Sequence, residues 1–212
     1  MRLFSYKLTH DSGFAPNPFW GVLTLATCKP GFRRSKRAGD WIAGFTSDRL
    51  CGDQVGRERL IFLMRIDEKM SIADYFRDPM FQRKIPDLSA KEEINRAGDN
   101  IYRPLCPYPT TASDFDLVQN RSHKEKHKVH DLSGKNVLIS TEFVYFGRNP
   151  LSIPPHLRPD VPKGQSAQGT RTHDIERARR FIEFVMQNAS ARRIHGPPHE
   201  WPGGDESWRE LR

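Results

Sequence analysis

The chain has 212 residues, a net charge of +8 and only 36% hydrophobic residues. That length allows one domain with a real core, and 16 prolines with 15 glycines predict extensive loops. The three cysteines are too few and too scattered for a disulfide framework. No pair of them has the C-x-x-C spacing of a zinc site. The basic balance favours polyanions such as nucleic acid or nucleotides, and a face of solvated lysines and arginines explains it equally well.

The N-terminal segment MRLFSYKLTH has no cationic stretch followed by a long apolar one, so it does not resemble a signal peptide. No apolar run approaches the roughly 18 residues of a membrane-spanning helix. We therefore expect a cytoplasmic protein that makes no membrane contact.

Four apolar runs near the N-terminus predict strands, over residues 2–8, 21–28, 41–46 and 60–66. Short turns join them, which indicates an antiparallel sheet or a partly closed barrel. Long helices are absent from this part, and neither G-x-G-x-x-G nor G-x-x-x-x-G-K-[ST] occurs in the chain. Both observations argue against a doubly wound nucleotide-binding fold.

The remainder of the chain supplies the predicted helices. Ser71 is a candidate N-cap of a helix that Pro79 ends, and Thr172 is a candidate N-cap of a helix with an apolar face. Residues 136–146 form the strongest strand signal of the second half. The expected fold is α+β: a curved, mainly antiparallel sheet or partly open β-barrel with two or three flanking helices, over residues 1–190. Residues 191–212 are expected to form an irregular C-terminal tail.

The segment between the second and third predicted strands is strongly cationic. Its five basic residues are Lys29, Arg33, Arg34, Lys36 and Arg37. Guanidinium groups bind phosphate oxygens bidentately, so Lys29, Arg33 and Arg34 are candidate phosphate ligands, with Trp41 as a neighbouring base-stacking candidate. A solvated hairpin tip explains the same pattern.

Two dipeptide-scale features suggest catalysis. His10 and Asp11 follow the first predicted strand, where the carboxylate could orient the imidazole as a general base. Cys28 ends the second predicted strand and becomes a candidate nucleophile if the fold brings it beside His10. A turn aspartate, a surface histidine and a buried structural cysteine are the more frequent explanation of these residues.

Other polar residues are candidate ligand contacts with equally simple structural explanations. Asn17 lies in a proline-stiffened bend, and the turn that holds Asp99, Asn100 and Tyr102 offers groups for a ribose or base. A further motif is a basic stretch with three histidines at helical spacing, His123, His127 and His130. Its neighbouring lysines disfavour a dication, so we interpret this stretch as a cationic flexible loop or short helix and predict no metal site.

The ordered segments HDSGFAPNPFWGVLTLATCKP, RAGDWIAGF, GDNIY and VLISTEFVYFG resemble the nucleotide modification associated domain 2 family, over residues 1–157. The resemblance implies an α+β fold and a role in DNA base modification in bacteria or phages. The cationic segment followed by Gly39, Asp40 and an aromatic strand is also similar to PUA-like barrels, which bind RNA or flipped bases.

These observations converge on a protein that acts on or binds a base or nucleotide through a basic, aromatic-lined pocket. The leading version is an enzyme that transfers or rearranges a group on the base. The alternatives are a non-catalytic PUA-like reader of modified nucleic acid and an accessory subunit that works with other DNA-modification proteins. The sequence specifies no cofactor, no particular base and no oligomeric state.

Overall fold

The computed structural model describes residues 1–164, 169–189 and 193–211. The strands are β1 (Arg2–Lys7), β2 (Leu23–Leu25), β3 (Asp40–Phe45), β4 (Leu60–Arg65), β5 (Glu68–Ser71), β6 (Tyr102–Pro104), β7 (Phe115–Leu117), β8 (Asn136–Ser140), β9 (Glu142–Tyr145) and β10 (Thr170–Thr172). The α-helices are α1 (Pro30–Ser35), α2 (Asp48–Cys51), α3 (Ile72–Arg77), α4 (Glu93–Arg96), α5 (Glu125–Leu132) and α6 (Ile175–Asn188). Short 3-10 helices cover Pro79–Lys84, Ala112–Asp114, Pro155–Leu157 and Ser207–Leu211.

The central sheet has five strands in the order β10-β1-β3-β4-β9. β1 and β3 run parallel, and the other neighbours are antiparallel. A three-stranded sheet (β2-β8-β5) and a two-stranded sheet (β6-β7) complete the described strands, and none of these sheets closes into a barrel. The predicted α+β class is confirmed, in its open-sheet form.

The central sheet is buried on both faces. Helix α6 covers one face with its apolar stripe, in which Phe181 and Val185 are fully buried. The other face packs against the β2-β8-β5 sheet through Tyr6, Phe62 and Leu138. Because neither face meets water, the strands read as continuous apolar runs with little alternation.

Several predicted elements are confirmed and others need correction. The strand predictions near the N-terminus agree with β1, β3 and β4, whereas the strand predicted over residues 21–28 shortens to three residues. The strand predicted over residues 136–146 divides into β8 and β9, since the chain turns at Thr141. Helix α6 begins after Asp174, whose carboxylate accepts a hydrogen bond from the Arg177 backbone N–H, and Thr172 belongs to β10.

Both cationic segments are helical: the first corrects the predicted loop, and the second takes the helical form of the predicted loop or short helix. α1 occupies most of the predicted hairpin tip, and α5 occupies most of the histidine-rich stretch. Tertiary contacts explain both, because each helix buries part of one face: Phe32 and Arg33 in α1, Asp131 and Leu132 in α5.

Within the described residues, no helix combines the length and the apolar character that a membrane crossing requires.

The bend between β1 and β2 is held by a buried lysine. The Lys84 ammonium donates to the backbone oxygens of Asn17 and Val22, to the side-chain oxygen of Asn17 and to the Thr24 hydroxyl, at 2.7–3.1 Å. Burial lowers the pKa of Lys84 to about 8, and the negative charge of Asp99 opposes that shift. One cation thereby gives a donor to the Val22 carbonyl and a second donor to the Asn17 carbonyl, which also accepts from the Thr24 backbone N–H.

We predict that Lys84→Met lowers the free energy of unfolding by about 3–5 kcal/mol, because several buried acceptors lose their donor together. Urea unfolding followed by circular dichroism measures the change. Lys126→Met, at an exposed position on α5, is the matched control and should stay within about 0.5 kcal/mol of the unmodified protein. An equally small effect of Lys84→Met would contradict the role assigned to this lysine.

Candidate active site

Cys28 lies at a backbone turn between strand β2 and helix α1. Cys28 and Lys29 have φ values of 55° and 38°, so two successive residues with side chains adopt the left-handed conformation. Such residues cost about 1–3 kcal/mol each and persist where the surrounding structure holds them. The turn directs the Cys28 side chain away from the strand that precedes it and toward helix α5.

The thiol of Cys28 meets a histidine and an aspartate from the α5 region. Its Sγ lies 3.4 Å from Nε2 of His123, and Nδ1 of the same ring contacts the carboxylate of Asp131. Asp131 also accepts a 2.6 Å hydrogen bond from the Tyr102 hydroxyl and a 2.9 Å hydrogen bond from the Cys28 backbone N–H. The order thiol, imidazole, carboxylate is that of a nucleophile, its acid/base and the group that orients the acid/base.

The surroundings determine the protonation state of this histidine. Burial lowers the pKa of His123, but hydrogen bonds to Asp131 and Cys28 outweigh that effect and raise it to about 9. Burial by itself raises the pKa of Asp131, whereas the hydrogen bonds from His123, Tyr102 and the Cys28 backbone lower it overall. At neutral pH the thiol therefore faces an imidazolium.

Arg33 fixes the same turn from inside the protein. It is fully buried, and its guanidinium donates to the backbone oxygens of Cys28, Asn136 and Asp131. A Cβ atom at Gly134 would lie 2.4 Å from the Arg33 guanidinium carbon, so the glycine provides the space that the arginine occupies. One side chain thus ties the strained turn, the end of α5 and the start of β8 together.

A cavity of about 450 Å³ opens beside the thiol, within the size range of small-molecule sites. Cys28 and His123 form part of its wall, and Phe14 packs on the His123 ring with 5.0 Å between the ring centroids. The other polar and aromatic lining residues include His10, Ser12, Glu93, Arg96, Arg121, Glu200 and Trp201. The lining therefore combines a nucleophile, cations, anions and aromatic rings.

A further part of the cavity wall belongs to the C-terminal segment. The Glu200 backbone N–H donates to the Asp11 carbonyl at 3.0 Å, and the Trp201 indole donates to the Ser12 carbonyl at 2.8 Å. Arg148 donates to the backbone oxygens of residues 198, 199 and 201. These hydrogen bonds hold residues 198–201 against the end of β1, so two cavity residues come from the far end of the sequence.

A second cysteine makes similar contacts outside the cavity. Cys51 Sγ lies 3.2 Å from Nε2 of His199, whose Nδ1 lies 2.8 Å from the Asp11 carboxylate, and Tyr145 donates to the same carboxylate at 2.6 Å. Burial and the nearby charge of Asp53 raise the pKa of Cys51. This thiol is a weaker nucleophile than a thiol facing an imidazolium, and its contacts hold the C-terminal segment in place.

The predicted catalytic residues lie in different places. His10 is at the cavity rim, with its side chain 62% exposed, and pairs with Glu200 at 2.9 Å. Asp11 is buried and bonds to His199, so it does not orient the His10 ring. Cys28 lines the cavity, but its imidazole partner is His123 and not His10.

The predicted phosphate and base ligands are mostly structural in their contacts. Arg33 is buried as described, Arg34 donates to the carbonyl and hydroxyl of Ser133, and Lys29 packs over the Tyr6 ring. Trp41 lies in the core between the central sheet and α6.

The remaining predicted ligands are also buried. Asn17 bonds to Lys84, Asp99 accepts from Thr24 and Tyr75, and Asn100 donates to backbone carbonyls. Tyr102 supports Asp131. Of all the predicted site residues, His10 and Cys28 line the cavity.

The sequence interpretation placed neither His123 nor Asp131 in a catalytic site, because it assigned His123 to a loop or short helix and Asp131 to a turn. It also did not single out four residues of the cavity lining: Glu93, Arg96, Arg121 and Glu200. The eight-residue separation of His123 and Asp131 was a usable signal, because His123 precedes α5 and Asp131 lies two turns into it. The neighbouring lysines led us to interpret these histidines as part of a cationic surface segment instead.

The same three side chains are the candidate metal ligands among the described residues. The ligand atoms of Cys28, His123 and Asp131 lie within 4.8 Å of one another, and three ligands with an open position are typical of a catalytic zinc site. Both ring nitrogens of His123 already contact the other two side chains, however. Since a metal would have to replace one of those contacts, the arrangement fits proton transfer better.

The fold and the cavity define an α+β protein with a cysteine–histidine–aspartate centre in a small, partly aromatic cavity. The model of the family described as nucleotide modification associated domain 2 matches residues 1–205, and the chain belongs to that family. Searches of curated proteins and of solved structures find no match. The family description associates this domain with nucleotide modification.

The ion pair of His123 makes a prediction for stability. The folded-state pKa of about 9 lies above the ordinary value of 6.5, so the stabilisation is complete below pH 6.5 and is lost as pH rises through 9. We expect the unfolding free-energy difference between the unmodified protein and His123→Gln to shrink by about 3 kcal/mol over that range. Urea titrations at several pH values measure it.

Two features make that measurement specific. The depressed pKa of Lys84 changes stability in the opposite direction between about pH 8 and 10.5, and it cancels in the difference because both proteins contain Lys84. His130→Gln, on the exposed side of α5, is the matched control. A difference that stays constant from pH 6 to pH 10 would contradict the raised pKa of His123.

Proposed function

We propose that this protein modifies a base or nucleotide by covalent catalysis, with Cys28 as the nucleophile. The observation that carries the proposal is the contact chain from Cys28 through His123 to Asp131 at the wall of a cavity. The family to which the chain belongs supports nucleotide chemistry as the setting. The thiol would add to an electrophilic ring carbon of the base, so that a carbon–sulfur bond forms and the electron pair of the opened double bond moves to an atom that His123 protonates. The neighbouring ring carbon would then take a group from an alkylating donor, whose remainder departs with the electron pair of the broken bond. Loss of a proton from that carbon and expulsion of the thiol would restore the double bond.

Each residue of the centre has a defined task in this proposal. His123 contacts the thiol through Nε2 and gives a proton to the atom that gains negative charge. Asp131 holds the His123 ring in the required tautomer and orientation, and Tyr102 and the Cys28 backbone N–H hold Asp131. Arg33 keeps the strained turn in place, so it is a positioning residue with no substrate contact.

The test is the nucleoside content of DNA and nucleotide pools from cells with and without the protein. We predict a modified nucleoside that mass spectrometry detects with the unmodified protein and with Cys106→Ser, whose cysteine is outside the cavity. Cys28→Ser should abolish the product, and His123→Gln should reduce it by about 10²–10⁴-fold. Continued product formation by Cys28→Ser would exclude the thiol mechanism.

The same samples distinguish the alternatives. A reader of modified nucleic acid would leave nucleoside content unchanged in every sample and would bind nucleic acid equally well after Cys28→Ser. A zinc-dependent hydrolase built on the same three side chains would contain about one equivalent of metal by elemental analysis and would lose activity to a chelator. Either result would replace the covalent proposal.

A further inference from the structure

Two arginines of the cavity share one carboxylate. Arg96 belongs to α4, and Arg121 lies before α5. Nη1 of Arg121 lies 2.5 Å from one oxygen of Glu93, and Nη1 of Arg96 lies 3.4 Å from the other. All three side chains line the same cavity as Cys28 and His123. Glu93 therefore bridges two guanidinium groups at the wall of the candidate active site.

The bridge leaves the hydrogen-bonding capacity of the arginines partly unused. Nε of Arg96 is buried and has no hydrogen-bond acceptor among the described residues. The Arg121 side chain is 43% exposed. Because exposed ion pairs contribute little to stability, a ligand can replace the contact between Arg121 and Glu93 at low cost. A carboxylate offers two oxygens, whereas a phosphate offers more acceptor oxygens and more charge to two forked donors.

We propose that Arg96 and Arg121 form the phosphate subsite of this cavity, and that the Glu93 carboxylate lies where a phosphate oxygen binds. This inference rests on the proposed function and names its substrate class, a phosphate-bearing nucleotide unit in preference to a free base or nucleoside. The phosphate displaces the carboxylate from the two guanidinium groups. Glu93 thus disfavours anions that do not bring a base into the cavity as well.

The two arginines that the sequence suggested as phosphate ligands, Arg33 and Arg34, do not line this cavity. Among the described residues, the cavity lining includes Arg96 and Arg121 but neither Arg33 nor Arg34. Arg33 already donates to three backbone oxygens, and Arg34 donates to Ser133. The arginines that remain directed to the cavity are those on Glu93.

The cavity lining also explains how one nucleotide would contact both the arginines and the thiol centre. Phe14 and Trp201 provide apolar surface in the same cavity, and aromatic rings of this kind contact the faces of bases. A base beside Phe14 lies next to the His123 ring, within the wall that carries the thiol. Phosphate contacts at the arginines would then fix the base relative to Cys28.

The experiment measures binding without requiring turnover. Calorimetric titrations of Cys28→Ser, which removes the nucleophile, use a deoxynucleoside 5′-monophosphate, the matching deoxynucleoside and inorganic phosphate. We expect the nucleotide to bind at least tenfold more tightly than the nucleoside. Adding Arg121→Ala should remove most of that preference, and adding Glu93→Gln should tighten nucleotide binding about fivefold by removing a like charge.

Controls make the outcomes decisive. Arg65→Ala removes an exposed arginine that pairs with Glu142 outside the cavity, and it should leave both affinities unchanged. Arg121→Lys keeps a positive charge without the guanidinium fork and should restore part of the preference. Circular dichroism shows whether each variant is folded. Equal binding of nucleotide and nucleoside, or an unchanged preference in folded Arg121→Ala, would overturn the subsite.

Two sources of the phosphate are separated by the ligand used. A short single-stranded oligonucleotide carries phosphodiesters, whereas the free nucleotide carries a monoester. Tighter binding of the monophosphate identifies the nucleotide pool as the source, and tighter binding of the oligonucleotide identifies an exposed nucleotide of a strand. Failure of Cys28→Ser to abolish product would overturn the proposed function and leave these binding results standing.

Discussion

The candidate site depends on the carboxylate of one buried residue, Asp131. It accepts hydrogen bonds from the His123 ring, the Tyr102 hydroxyl and the Cys28 backbone N–H, while its own backbone oxygen accepts from Arg33. Burying a carboxylate is unfavourable unless its oxygens are paired. The Asp131 carboxylate meets that requirement with groups from three chain segments, so the same hydrogen bonds that keep it charged also assemble the thiol centre.

The distribution of charge is as important as its total. A net charge of +8 suggested phosphate recognition by the basic segment after β2. The structure instead uses a cation of that segment, Arg33, inside the protein, and directs Arg96 and Arg121 to the cavity. A buried guanidinium is tolerated here because carbonyl oxygens satisfy it on several sides. The number of cationic side chains follows from the composition, whereas the solvent exposure of each one depends on the fold.

The sequence was informative where burial produces a continuous pattern. The apolar runs of β1, β3 and β4 and the apolar stripe of α6 predicted real elements. Helix α1 was not predicted, and α5 was predicted only as the alternative to a loop, because the stability of both helices comes from tertiary contacts. The parallel pairing of β1 and β3 was not predicted because pairing depends on the course of the chain between the strands.

The site itself was only partly predictable. Cys28 was a candidate from its position after a strand, but its partner lies 95 positions away in the chain. Dipeptide proximity pointed to His10, which is exposed and paired with Glu200. Hydrophobic periodicity predicts local secondary structure. It does not predict which distant segments come together to form a catalytic centre.

The hydrogen bonds of residues 198–201 to the end of β1 have a consequence for biosynthesis. The cavity takes one part of its wall from residues 10–15 and a second, adjoining wall from Glu200 and Trp201. A nascent chain whose central sheet has already formed on the ribosome lacks that second wall until these residues leave the exit tunnel. The thiol centre can assemble earlier, because its residues end at Asp131, so translation separates formation of the reactive group from formation of the compartment that confines it.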